Sequence, residues 1–166
     1  SGNVAKVGNT EYATFDEAFK AAQNKTMTLI SDVTLTKEYT LLSGTMVIDL
    51  NGHTMNVVAT TTGSEAGHAF RCNNGYTLTI TGEGTIKSNC AIFRCGAYSA
   101  DPKFSIIGTG KGINVICTGE IYSGVIKDGR GIYNFQNVNF DVTMNGGSAV
   151  FYGAYRIFPI ASIIRC

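Results

Sequence analysis

A loose internal repeat constrains this chain more than any other feature. Four short β-prone runs each end on a Gly or Asn corner: Met46–Gly52 (MVIDLNG), Thr77–Gly82 (TLTITG), Phe104–Gly108 (FSIIG) and Tyr133–Asn137 (YNFQN). The corner residues Gly52, Gly82, Gly108 and Asn137 are separated by 30, 26 and 29 positions. A period of that size is the signature of stacked repeats, in which each unit buries its apolar face only against its neighbours. A second phrase recurs between the corners. His68–Cys72 (HAFRC) returns as Ala91–Cys95 (AIFRC), and more faintly as Glu120–Ser123 (EIYS) and Ala149–Tyr152 (AVFY).

Two ladders of the same period imply about three short strands per repeat, separated by tight bends. Runs such as Thr77–Thr81 alternate polar and apolar residues, so one strand face is buried and the other is wet. Three strands per turn and no long helix predict an all-β chain wound as a parallel β-solenoid of triangular section. Strands of successive turns then lie about 4.8 Å apart, and inward columns such as Ile80, Ile106 and Phe135 stack.

Composition narrows the field. The 166 residues are read as a single β-helix domain over 1–166, with an N-terminal strand and capping helix at 4–26, coils at 27–154, and a C-terminal apolar lid or start of a further coil at 155–166. Charged residues make up 15%, against about 25% in ordinary soluble domains. The net charge of +1 supplies no electrostatic case for nucleic acid or an anionic membrane surface. Apolar runs are short and broken by Thr, Gly or Asn, so no membrane insertion is expected.

Helical spacing is strongest near the N-terminus. Thr14-Phe15-Asp16-Glu17 fits a capping box, with the Thr14 hydroxyl accepting from the Glu17 amide and the Glu17 carboxylate reaching back. Phe15, Ala18, Phe19 and Ala22 fall at i, i+3, i+4 and i+7, one apolar stripe on a helix of about two to three turns. A repeat array exposes apolar side chains and unpaired strand edges at its ends, so this amphipathic helix is expected to cap one of them.

The segments Tyr12–Ala22, Met27–Leu35 and Val47–Thr54 together resemble the opening of pectate-lyase-like right-handed parallel β-helix domains, of the kind in surface proteins of gut Gram-positive bacteria and in some phage structural proteins. The likeness is strongest over residues 4 to 56 and fades to weaker rung patterns by about residue 153. It implies a cell-surface or extracellular location, or alternatively a phage virion. Function does not follow from it, because one coil architecture carries lyases, hydrolases, tailspikes and non-catalytic adhesive segments.

Catalysis has to be argued from residues. A lyase resembling the family would need clustered carboxylates for Ca²⁺ and an Arg or Lys base; a hydrolase would need two carboxyl groups about 5 to 9.5 Å apart. In a stacked coil such acids should recur near the repeat period. Taking the corners as anchors, the column of Asp49 continues as Thr79, Ser105 and Asn134 and holds a single acid. Glu83, Glu120, Asp128 and Asp141 fall in other phases, and there is no GxSxG, HExxH or paired-carboxylate segment. The reading leans against an enzyme and expects no catalytic residues, no cofactor and no metal. A polysaccharide-active enzyme with a site hidden in loops is the alternative.

His53 follows the Asn51-Gly52 bend and His68 opens a strand, neither with a partner at metal-ligand spacing, so both are read as structural. The five cysteines, Cys72, Cys90, Cys95, Cys117 and Cys166, contain no CxxC. Cys72 and Cys95 are expected to stack as small buried thiols, their parallel Cβ directions unsuited to a disulfide.

What remains for binding is the outward column opposite those cysteines. Arg71 stacked over Arg94, with Tyr122 and Tyr152 nearby in phase and Tyr98 in the following loop, forms a candidate glycan-binding set, since guanidinium groups and aromatic rings on a flat sheet suit sugars. The expected function is a non-catalytic, rigid structural or adhesive module with polysaccharide or glycan as a partner. The apolar segment Tyr155–Cys166 adds a further expectation, self-association through the C-terminal end.

Overall fold

The computed structural model describes residues 2–41, 44–59, 67–72, 75–95, 101–127, 131–144, 150–151, 156–160 and 164–165, the backbone alone at 95, 156–160 and 164–165. It is an all-β structure with one short helix. The chain begins with a hairpin, β1 (Ala5–Val7) and β2 (Thr10–Tyr12), followed by α1 (Phe15–Ala21). Thr14 caps α1 as the capping box predicts: its backbone is extended and its hydroxyl accepts from the Glu17 amide at 3.2 Å. The same hydroxyl donates to the Glu17 carboxylate at 2.9 Å, so Glu17 reaches the cap side chain. Phe15, Ala18 and Ala22 are buried and Phe19 packs against them, the stripe read from the spacing.

From Thr26 onward the chain lays down strands in three parallel ladders. The first contains β3 (Thr26–Leu29), β6 (Thr45–Asp49), the start of β9 (Thr77–Ser88), the start of β11 (Lys103–Cys117), β13 (Ile132–Gln136) and β15 (Arg156–Ile160). The second contains β4 (Val33–Leu35), β7 (Thr54–Val57), the ends of β9 and β11, β14 (Val138–Val142) and β16 (Ile164–Arg165). The third contains β5 (Tyr39–Leu41), β8 (His68–Cys72), β10 (Ala91–Cys95) and β12 (Ile126–Lys127). The first four passes add a strand to each ladder, and the last two add strands to the first and second. The antiparallel hairpin β1–β2 covers the β3 edge, where Ala5 faces Leu29.

Side-chain alternation then builds the core. Ile48, Ile80, Ile106 and Phe135 lie in one register column and are fully buried, as the repeat predicts. Tyr39, Phe70, Phe93 and Ile126 form the facing column. Each large apolar side chain buried in this way is worth about 1.5–3 kcal/mol. Aromatic rings link the columns across the interior: Phe93 stacks on Phe104 with centroids 4.5 Å apart, and Tyr39 meets Phe15 of α1 edge-on at 5.0 Å.

Glycine makes the bend inside β9. Gly84 has φ +145, and a Cβ there would fall 2.3 Å from the His53 carbonyl oxygen, so only glycine lets adjacent passes approach at this corner.

Candidate functional site

The polar side chains at the bends hold adjacent passes together. Asn51 donates from Nδ2 to the Leu29 carbonyl at 3.0 Å, and Asp32 accepts from the Thr54 amide at 2.8 Å. Glu83 accepts from the Lys111 amide at 2.8 Å, and Asn137 donates to the Gly110 carbonyl at 3.2 Å. Asp49 instead closes its own turn, accepting from the Asn51 amide at 2.9 Å. At a corner the strand ladder is interrupted and backbone groups lose their partners, so short polar side chains supply them. Of the acids weighed as catalytic candidates, Asp49 and Glu83 are thus already bound to backbone.

Two sequence alignments need correction. Asp49 is in register with Thr81, Ile107 and Gln136; Thr79, Ser105 and Asn134 continue the column of Val47, two residues earlier. The slip arose because Gly52 ends a separate turn after β6, whereas Gly82 lies inside the long strand β9. The Asp49 column still contains one acid. The third occurrence of the HAFRC phrase is also not Glu120–Ser123, whose residues lie outside any strand. It is Ile126-Lys127, with Phe93 facing Ile126 and Arg94 facing Lys127. The connection through 119–124 delays the strand by several residues, which a fixed period cannot reveal.

The outward column of the third ladder is therefore Thr40, Arg71, Arg94 and Lys127. Arg71 and Arg94 are cross-strand neighbours, both half-buried. Lys127, missed by sequence reading, is only 6% exposed, and its Nζ sits 5.2 Å from the centre of the Tyr122 ring. A cation over an aromatic face gains electrostatic stabilisation that partly offsets its desolvation. Tyr122 is thus brought to the column, through Lys127. Tyr98 and Tyr152 lie outside the described residues.

Beneath this column lies His68. Its Nε2 contacts the Glu38 carboxylate without the alignment of a hydrogen bond, and its Nδ1 is buried without a hydrogen-bond partner among the described residues. Burial depresses the His68 pKa; Glu38 opposes this, and the nearby charges of Arg94 and Lys127 reinforce it. Glu38 is not recognisable as a partner from sequence, because the two residues are on different passes. His53 has a comparable but exposed neighbour, Asp32, at 3.6 Å.

A separate cleft of about 380 Å³ is lined by Asp49, Asn51, Gly52, Thr81, Gly82, Glu83 and Thr109. Among the described residues no group of three or more His, Cys, Asp or Glu is placed to hold a metal ion. No described helix is long and apolar enough to cross a membrane. Cys72, Cys90 and Cys117 are buried, and Cys72 faces Cys95 in register. No protein-family model, curated protein or solved structure matches the chain.

Proposed function

We propose that the chain is a right-handed parallel β-helix serving as a non-catalytic structural or adhesive module of a cell-surface or virion protein, touching glycans through Arg71, Arg94 and Tyr122. The parallel ladders, each gaining a strand in the first four passes, support the coil. Parallel crossovers are right-handed in about 98% of cases, which supports its hand. The observation that carries the non-catalytic part is the fate of the acids: Asp32, Asp49 and Glu83 each accept a backbone N–H at a bend. Guanidinium groups and a neighbouring aromatic ring support the glycan contact.

A second reading, a polysaccharide-active enzyme, is favoured by one observation, that Asp49 and Glu83 line the same cleft. Screening the protein on a glycan array and on a polysaccharide panel for released reducing ends or unsaturated products separates the two. The module reading expects array binding that is lost in Arg71→Ala/Arg94→Ala and no turnover. Turnover abolished by Asp49→Asn or Glu83→Gln would replace it with the enzyme.

A further inference from the structure

His68 is the anomaly of the third ladder. It is one of four buried polar or charged residues among those described, with Ser88, Ser123 and Lys127, and its side chain is fully enclosed. Ser88 is satisfied locally by the backbone of Cys90. His68 instead faces charges from three other strands or their flanks: Glu38 just before β5, Arg94 on β10 and Lys127 on β12. Arg71 stands on its own strand, and the Cys90 thiol lies within the field of Lys127.

We propose that Glu38, His68, Arg94 and Lys127 form an acid-sensitive switch beneath the outward cationic column, in which neutral His68 keeps β5, β8 and β10 in register and its protonation loosens them. The contact with Glu38 puts the ring proton of the neutral form on Nε2. The second proton must then go to Nδ1, which is buried with no acceptor among the described residues. It would also add a positive charge that Arg94 and Lys127 disfavour and Glu38 favours. Opening the ladder relieves both costs by letting water reach the imidazolium.

The direction follows from linkage. The folded imidazole binds its proton more weakly than an open one, whose value is about 6.5. Stability contributed by neutral His68 is therefore complete above about pH 6.5 and is lost as the pH falls below it, by up to about tenfold in the closed-to-open ratio per pH unit. If the column holds a glycan, a part that rests on the function proposed above, acid loosening separates Arg71 from Arg94 and releases it.

The test uses the ligand-free protein. Amide hydrogen exchange, corrected for its intrinsic pH dependence, is followed from about pH 7.5 to about pH 5.5. Protection over Tyr39–Leu41 and His68–Cys72 is expected to fall by up to about tenfold between about pH 6.5 and 5.5, while Thr77–Ser88 stays constant. His68→Gln is expected to flatten the response, and Glu38→Gln to deepen it. With only two histidines, imidazole NMR of the unaltered protein gives a second readout that needs no variant; His68 should titrate below about 6.5. Titration of His68 at or above that value, or equal pH dependence in β8 and β9, would overturn the switch. Loss of array binding by the unaltered protein at any pH would count against the glycan reading alone.

Discussion

Asn89 pairs with Ala59 as a strand residue would: its Oδ1 accepts from the Ala59 amide at 2.8 Å and its Nδ2 donates to the Ala59 carbonyl at 2.9 Å, across 30 positions of chain. One side chain replaces a missing ladder rung just after β7. Asn89→Ala leaves both groups of Ala59 to water or unpaired. We expect a loss of about 1–3 kcal/mol, read as a lower midpoint in urea with an unchanged slope. Asn89→Asp keeps the acceptor, loses the donor, and should fall between.

At the neighbouring corner Gly84 fixes how closely successive passes approach. Gly84→Ala places a methyl against the His53 carbonyl at a φ that L-residues rarely adopt. The expected cost is about 2–3 kcal/mol, since neither the strained backbone nor the facing carbonyl can yield cheaply. Gly52→Ala is the control. It also has positive φ, +84, but no atom lies within 4 Å of the added Cβ, so thermal unfolding should show a smaller loss.

The helix α1 is held to β5 by a small polar latch. Tyr39 donates to Asp16 at 2.6 Å, and Lys37 Nζ lies 2.6 Å from the other carboxylate oxygen. Lys37 first, then Tyr39, hold the Asp16 pKa below its ordinary value. A carboxylate depressed in the folded state stabilises above its unfolded pKa of about 3.9, and that contribution fades as the pH falls below it. The Tm difference between the unaltered protein and Asp16→Asn should thus be constant near neutrality and shrink below about pH 4. The latch is exposed, so the difference should also shrink in high salt.

Burial makes the thiols inert. It pushes the Cys117 thiol up to about 12 and raises Cys90 as well, leaving almost no thiolate near neutrality. Iodoacetamide should leave Cys72, Cys90 and Cys117 unmodified in the native protein and alkylate all three in guanidinium, as read from peptide masses.

The fold was more legible than the surface, for a physical reason. Inward positions of a stacked strand answer to one demand, burial, so Ile80, Ile106 and Phe135 could be aligned by period alone. Thr14 and Glu17 revealed the helix start because a capping box is local in sequence. The outward column could not be completed this way: Arg71 and Arg94 share a phrase, but Lys127 follows a longer connection. Glu38 and His68 were illegible together, since their contact depends on how two passes close around a corner. Asp49 was placed in the wrong column because a turn and a bend within a strand look alike as Gly in sequence.

A crystal structure of the chain tests the account most directly, because coil and site are read from the same map. Ile48, Ile80, Ile106 and Phe135 should lie in one inward column at steps of about 4.8 Å, with Asp32, Asp49 and Glu83 bound to backbone amides at the bends. Antiparallel pairing of β6 with β9, or two acids and a base converging in one groove with their oxygens released from backbone, would contradict it.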